Sequence, residues 1–280
     1  MAHHSIHTSR QMDRARAEFD SLVVGSDQVW NPHFRELEGF RFLEWAERHQ
    51  RICVSPSFGV DRLPSEVVSE YAAGLEGFDR LSVREEAGAG LIEELVGLEA
   101  AVLIDPTLVL PAEEWKSVAS SLARPERPYV LTYFLGDTPS WRVSYIEAEA
   151  TAHDCHVVNL LDKTDARVFA AGPAEFLDLI MNARCVFTDS FHGAALSLVF
   201  EVPVVIFDRL GGTSMNSRIQ TFVRTFDLEE RLYRDDRQIE AFECDYSQAS
   251  QLLTIKRDEF MRYLRDELLR SRTGSLGMLG

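Results

Sequence analysis

Few of the features that assign a function at a glance are present in this 280-residue chain. Its four cysteines are widely spaced and form no Cys-x-x-Cys pair, which argues against a disulfide framework and favours buried free thiols in a reducing compartment. No stretch reaches the roughly 18 to 20 apolar residues of a membrane span, and the first residues lack the apolar segment of a signal peptide. We therefore expect a cytoplasmic protein without a transmembrane segment.

The motifs of several common enzyme classes are also missing. The sequence has no Walker loop, no Gly-x-Gly-x-x-Gly fingerprint, no nucleophile elbow and no His-Glu-x-x-His motif. Their absence argues against nucleotide hydrolysis, NAD-dependent dehydrogenation, serine hydrolysis and zinc proteolysis. We expect neither a bound metal nor a cofactor.

Positive charge is scarce. The chain has 29 Lys and Arg against 45 Asp and Glu, a formal net charge of −16. Because nucleic acid and anionic lipid both require a basic surface, we expect no nucleic-acid partner. A small anionic substrate is still compatible, since a few locally placed arginines are enough to bind it.

Short β-branched runs alternate with longer helical patterns, which predicts an α/β fold with parallel sheets. In the first half the predicted strands, each followed by polar or small residues, are Leu22–Gly25, Arg51–Ser55, Arg80–Val83 and Ala101–Ile104. In the second half they are Tyr129–Phe134, His156–Leu161, Ala183–Phe187 and Val202–Phe207. A break at Pro111–Pro128 predicts a boundary between an N-terminal domain, residues 1–122, and a C-terminal domain, residues 123–280. The stretch Tyr246–Leu269 is predicted to form a long amphipathic helix.

One stretch, Thr188–Ala195, joins a predicted buried strand to a predicted helix. Such a turn presents backbone N–H groups at a helix N-terminus, where they and the helix dipole favour an anion. Ser190 is a candidate N-cap, and His192 can exchange a proton near neutral pH. Gly193 removes a side chain where a backbone must approach something closely. We predict that His192 contacts a ligand or acts in catalysis; the alternatives are a capping histidine without a chemical role and, for Phe191, a place in the core.

Two arginines are candidates for binding an anion. Arg84 ends a predicted strand, and its planar guanidinium suits a phosphate or carboxylate. The alternative is a salt bridge to Glu85, Glu86 or a neighbouring helix. Arg218, which follows a glycine- and serine-rich loop, is the second candidate.

A polar loop with one aromatic residue follows the first predicted strand. Hydrogen-bonding side chains beside an aromatic ring are typical of sugar sites, and here they are Ser26, Asp27, Gln28, Trp30 and Asn31. The alternative is a structural turn capped by Asp27. Ser57, after the second predicted strand, belongs either to the same sugar site or to a turn.

Several segments, taken in order, resemble the polysaccharide pyruvyl transferase family. They are Val23–Pro32, Ser82–Glu85, Asp105–Leu108, Tyr129–Gly136, Gly172–Phe176, Thr188–Gly193 and Ser217–Ile219. Each motif alone is only moderately specific, and their ordered recurrence from about Phe19 to about Arg231 carries the resemblance.

The resemblance implies a fold like that of the GT-B glycosyltransferases, with two Rossmann-like domains facing each other across a cleft. It also implies transfer of the enolpyruvyl unit of phosphoenolpyruvate to sugar hydroxyls, which makes a pyruvate ketal and releases phosphate. The donor-binding arginine and the histidine of the family fall on Arg84 and His192. His192 is then the candidate acid, and Arg84 with the Ser190–Gly193 amides would hold phosphate and carboxylate. The substrates would be phosphoenolpyruvate, as donor, and a glycan or lipid-linked sugar, as acceptor.

One departure from the family concerns the N-terminal domain. Family members usually begin with a further strand and a glycine- and asparagine-rich loop, so we expect this domain to be shortened by a βα unit of about 30 residues. Two other functions fit the same sequence: a catalytically impaired sugar-binding or partner protein of this fold, and a GT-B glycosyltransferase that uses a nucleotide sugar.

Overall fold

Parallel strands and α-helices build both halves of the chain. A computed structural model describes residues 8–34, 40–211, 216–236 and 239–277. The strands are β1 Leu22–Val24, β2 Arg51–Cys53, β3 Leu81–Val83, β4 Ala100–Val102, β5 Tyr129–Tyr133, β6 His156–Asn159, β7 Val186–Thr188 and β8 Val204–Ile206. The helices are α1 Ser9–Glu18, α2 Val68–Leu75, α3 Glu86–Val96, α4 Ala112–Val118, α5 Ser140–Ala152, α6 Ala166–Phe169, α7 Pro173–Met181, α8 Phe191–Phe200, α9 Asn216–Thr225 and α10 Ser247–Gly277. The α/β class and the parallel sheets predicted from the sequence are confirmed, and each predicted strand overlaps an observed one.

The first compact unit contains two parallel strand pairs. It comprises Met1–Asp105 with Lys256–Gly280, and in it β1 pairs with β2 and β3 pairs with β4. The Ser82 hydroxyl of β3 donates to the Cys53 carbonyl of β2 at 2.7 Å, which links the two pairs. Aromatic side chains fill the core beneath them, among them Trp30, Phe42 and Tyr71.

The second compact unit, Pro106–Ile255, is built on one four-stranded parallel sheet. Its strand order is β6-β5-β7-β8. All four strands are rich in β-branched or aromatic residues, which suits a sheet buried by helices. Its core packs Val130, Ile146, Phe187 and Phe207 together.

The division between the units differs from the predicted boundary at residues 122 and 123. A 3-10 turn at Pro106–Leu108 packs on α8 and α4 packs on α7, so this segment belongs to the second unit. At the other end, α10 begins in the second unit and continues into the first. There the Tyr263 hydroxyl donates to the Cys53 carbonyl and Ser271 donates to the Asp20 carbonyl.

Helix α10 is the longest described helix, and its buried residues fall at helical spacing. They are Ala249, Leu253, Phe260, Tyr263, Glu267 and Ser271. The predicted amphipathic helix is therefore confirmed, and it extends further than the sequence pattern indicated. Among the described residues, no helix combines the length and the apolar character that crossing a membrane requires.

Candidate active site

We call the turn that carries His192, within Thr188–Ala195, the His192 turn. It follows β7, next to the point where the strand order of the four-stranded sheet reverses. From β5 the chain passes to β6 on one side, and then returns to add β7 on the other side of β5. Ligands of such doubly wound sheets bind outside the carboxyl ends of the strands at this switch point. The loop after β5 and the turn after β7 are therefore the elements from which a site in this unit would be built.

A buried carboxylate joins these two elements. Asp189, the first residue after β7, has no exposed surface. One of its oxygens accepts the Leu135 N–H at 2.7 Å and the other accepts the Gly136 N–H at 3.0 Å. The loop after β5 is thus fixed to the turn that carries His192.

His192 itself stands in the first turn of α8 and is half-buried. Ser190 is the N-cap of this helix, and its hydroxyl oxygen accepts the Gly193 N–H at 3.4 Å. A Cβ on residue 193 would lie 2.7 Å from the Thr188 hydroxyl oxygen, so only glycine fits there without movement. His192 thus lies at the N-terminus of α8, where the free backbone N–H groups and the helix dipole stabilise a nearby anion.

Helix α9 packs against the same turn. Phe191 is buried, and its ring lies 5.8 Å from the ring of Phe222 on α9, edge to face. Arg218 stands near the beginning of α9 and is buried as well. Phe191 therefore contributes to the packing between α8 and α9.

In the first unit, Arg84 is the centre of a polar cluster that we call the Arg84 cluster: Arg84, Ser26, Asp27 and Asp105. Only 3% of Arg84 is exposed. Its guanidinium lies 2.6 Å from an Asp105 oxygen and 3.2 Å from an Asp27 oxygen, and it donates to the Ser26 hydroxyl. Asp105 is buried, whereas 60% of the Asp27 side chain is exposed. The cluster thus brings together residues that follow β1, β3 and β4.

Glu85, next to Arg84, holds the loop that follows β2. Its Oε1 accepts three hydrogen bonds, from the Ser57 hydroxyl at 3.0 Å, the Phe58 N–H at 2.9 Å and the Gly59 N–H at 3.3 Å. Its Oε2 is buried and has no hydrogen-bond partner among the described residues. Burial raises the pKa of Glu85, and the hydrogen bonds and the Arg84 charge oppose that rise.

The same loop is bound to the loop after β1. The Ser57 N–H donates to the Asp27 carbonyl at 2.7 Å, and the Trp30 N–H donates to the Ser57 carbonyl at 3.2 Å. Gly59 has a φ of +63°, and a Cβ there would meet the Gln28 amide oxygen at 2.2 Å. All the strand ends of this unit are therefore tied together by polar contacts.

The family model of polysaccharide pyruvyl transferase matches residues 3–210, about three quarters of the chain. The chain belongs to this family. The match includes both the Arg84 cluster and the His192 turn, and it ends before Arg218. A comparison with curated protein sequences gives no match.

For this pyruvyl transferase family member, the structure corrects part of the predicted sugar site. Trp30 has no exposed surface: its ring lies within 6.0 Å of the rings of Phe42, Phe58 and Phe78, and its Nε1–H donates to the Arg41 carbonyl. A ring covered in this way cannot stack on a sugar, so Trp30 is a core residue.

Two further residues of the predicted sugar site are structural for similar reasons. Ser57 has no exposed surface and donates its hydroxyl hydrogen to Glu85. Asn31 is buried, and its side-chain amide donates to Gln28 at 2.6 Å while its oxygen accepts the His33 N–H. Only Ser26, Asp27 and Gln28 of the predicted acceptor-binding residues keep surface that a ligand can reach.

The sequence left open whether Arg84 binds an anionic ligand or forms a salt bridge to Glu85, Glu86 or a neighbouring helix. In the structure it forms ion pairs with Asp27 and Asp105, which the sequence did not indicate. Sequence reasoning also missed Glu85 and Asp189 as residues that organise the site. Each is an acidic residue directly beside a predicted functional residue at a strand end, and this adjacency is the signal that the sequence offers.

Among the described residues, no group of three or more His, Cys, Asp or Glu side chains is arranged to hold a metal ion.

Proposed function

We propose that this protein transfers the enolpyruvyl unit of phosphoenolpyruvate to two hydroxyls of a sugar, forming a pyruvate ketal. Membership of the polysaccharide pyruvyl transferase family is the observation that carries the proposal. The proposal includes a GT-B-like fold of two Rossmann-like domains, which the parallel sheets and the strand order β6-β5-β7-β8 support. It also includes a cytoplasmic location, with which four free thiols agree.

The proposed reaction defines what the residues must do. Carbon 2 of phosphoenolpyruvate gains two bonds to sugar oxygens and loses its bond to the phosphate oxygen. Carbon 3 gains a proton and becomes a methyl group, and the second hydroxyl proton leaves with the phosphate. A positioned acid is therefore needed at carbon 3, and cations or N–H donors are needed where charge builds up on the phosphate.

His192 is the proposed acid. An imidazole changes its protonation state near neutral pH, and this one keeps exposed surface at the switch point of the sheet. Ser190 and Gly193 shape the helix N-terminus beside it, which favours a phosphate or carboxylate. Arg218 is proposed as a further donor-binding residue on α9.

Arg84 is the proposed cation for the donor. Its buried partner Asp105 keeps the guanidinium in position, while its exposed partner Asp27 can be replaced by a carboxylate or phosphate of the donor. A guanidinium pairs with a carboxylate and with a phosphate through the same N–H donors, so the Nη1 that now faces Asp27 is available for either group of the donor. Ser26, Asp27 and Gln28 then remain as the proposed contacts to the acceptor.

Phosphate release tests the proposal directly. The purified protein is incubated with phosphoenolpyruvate and a panel of glycans and lipid-linked sugars, and free phosphate and the ketal product are measured. We expect turnover that falls by at least about 100-fold in His192→Ala, the typical loss of a general acid. His153→Ala, which removes an exposed histidine at the end of α5, is the matched control and should keep full activity. Failure of phosphoenolpyruvate to bind in calorimetry would contradict the proposal.

A second candidate is a sugar-binding or partner protein that does not turn over its ligand. The observation in its favour is that two carboxylates already compensate Arg84. In that case glycan binding persists without phosphate release, and Arg84→Ala leaves the glycan affinity unchanged. Under the first proposal the same substitution abolishes donor binding.

A further inference from the structure

We propose that a groove at the carboxyl ends of β5 and β6 binds a nucleoside. The groove has a volume of about 290 Å³, close to the lower limit of small-molecule pockets. Thr132, Phe134 and Ile146 form its buried floor, and Thr138, Glu147 and Asn159 lie at its exposed rim. None of the residues discussed for pyruvyl transfer lines it.

The position in the sheet is the first argument. β5 and β6 are the first two strands of the doubly wound sheet, and they lie on one side of the switch point. Doubly wound sheets bind nucleotides outside the carboxyl ends of the strands, and in dinucleotide-binding sheets an Asp or Glu about 20 residues after the first turn bonds a ribose hydroxyl. Here an amide, which can donate as well as accept, takes the corresponding place. Asn159 is the last residue of β6. Its Oδ1 accepts the Leu161 N–H at 3.0 Å, which fixes the plane of the amide and turns its Nδ2 hydrogens to other acceptors.

The lining is the second argument, because it separates a nucleoside from other ligands. Five of the nine lining side chains are apolar, which suits the flat faces of a base better than a sugar ring covered with hydroxyls. The rim carries an amide, a carboxylate and a hydroxyl, which suits a ribose diol better than an acyl chain. The negative charge of Glu147 disfavours a phosphate inside the groove.

The third argument is the loop that the groove shares with the His192 turn. Phe134 and Thr138 line the groove, and the residues between them include Leu135 and Gly136, whose N–H groups Asp189 accepts. The loop that lines the groove is therefore also hydrogen-bonded to the turn that carries the proposed acid, His192. If the proposed function holds, on which this step rests, the acceptor is a nucleotide-linked sugar.

Calorimetric and NMR titrations with adenosine, guanosine, cytidine and uridine test the site, since these uncharged probes report on the groove alone. We expect one or more to bind, and Asn159→Ala to weaken that binding by about tenfold, the effect of one hydrogen bond. The matching 2′,3′-dideoxynucleoside lacks the ribose diol, so it should bind with equal affinity to the native protein and to Asn159→Ala. A structural role of Asn159 would instead weaken both probes.

A second pair of variants tests the location. Val143→Trp places a large side chain at an exposed position of the groove wall and should abolish binding, whereas Ser144→Trp, on the next and equally exposed residue of α5, should not. If Val143→Trp fails to fold, the Asn159 and dideoxynucleoside comparison still decides. The inference is overturned if no nucleoside binds. It is also overturned if a nucleoside binds and Asn159→Ala leaves its affinity unchanged.

The same preparations separate this inference from the proposed function. Phosphoenolpyruvate binding should be unchanged in Val143→Trp and Asn159→Ala. If phosphoenolpyruvate binds and no nucleoside does, the groove inference fails alone. If a nucleoside binds in the groove and phosphoenolpyruvate does not bind, pyruvyl transfer fails and the nucleoside site stands.

Discussion

Removing the Glu85 carboxylate should destabilise the first unit strongly, because three donors depend on one of its oxygens. In Glu85→Ala the Ser57 hydroxyl and the N–H groups of Phe58 and Gly59 lose their acceptor inside the protein. A buried donor without an acceptor costs about 1 to 3 kcal/mol. We therefore expect the free energy of unfolding to fall by at least about 3 kcal/mol.

The pH dependence adds a signature that a simple loss of packing lacks. Burial raises the pKa of Glu85 in the folded state, so between its ordinary value and the raised one the folded protein binds more protons than the unfolded chain. The contribution of Glu85 to stability is then complete below the ordinary value and declines as pH rises through the folded pKa. Glu85→Gln keeps one acceptor oxygen and does not titrate, so the stability difference between the native protein and this variant should shrink as pH increases.

Urea unfolding at pH 5 and pH 8, followed by tryptophan fluorescence, measures both effects. Hydrogen exchange of the peptide that contains residues 55–60 reports the loop locally, and its protection should be lost in Glu85→Ala. Glu94→Ala, at an exposed position of α3, is the matched control and should change stability by less than about 0.5 kcal/mol. A loss below about 1 kcal/mol in Glu85→Ala, with unchanged exchange of the loop, would refute the reasoning.

Three further outcomes follow from single side chains. Gly193→Ala should lose about 1 to 3 kcal/mol in urea unfolding, because its Cβ would lie 2.7 Å from the Thr188 hydroxyl oxygen; unchanged stability would contradict this contact. Gly90→Ala should gain about 0.5 to 1 kcal/mol in the same assay, since no described atom lies within 4 Å of the new Cβ inside α3. Burial raises the pKa of Cys53 to about 11, so iodoacetamide at pH 8 should label the half-buried Cys155 before Cys53, as read by mass spectrometry; equal rates for these two would contradict the burial of Cys53.

The sequence predicted the elements of the fold well because their signals are local. Apolar β-branched runs gave the strands, and Ser190 was predicted as an N-cap from its place between a strand and a helix. The structure has Ser190 in that role, with the Gly193 N–H as its donor. The spacing of Tyr246–Leu269 predicted α10 for the same reason.

The environment of each side chain was harder to predict because it depends on residues distant in the chain. Trp30 follows a polar loop, and that neighbourhood suggested a ligand; only the positions of Phe42, Phe58 and Phe78 make it a core residue. Arg84 was predicted to bind an anionic ligand, and the sequence did not show that Asp27 and Asp105, from the ends of β1 and β4, contact its guanidinium. Residues 106–122 lie in the second unit for a similar reason, since the 3-10 turn at Pro106–Leu108 packs on α8 and α4 packs on α7.

Both units hold a loop with the same kind of contact, a buried carboxylate that follows a strand. Glu85 and Asp189 have no exposed surface, and each accepts two backbone N–H groups from the loop that follows a neighbouring strand. Burying an ionisable group costs free energy unless hydrogen bonds compensate it. These hydrogen bonds therefore allow the two carboxyl groups to be buried. If the loop moved away, its N–H donors and the carboxylate would both lose their hydrogen-bond partners. Arg84 follows β3 and His192 lies in the first turn of α8, and each stands beside a loop that a buried carboxylate already fixes. Under the proposed function, neither side chain has to be positioned when a substrate arrives.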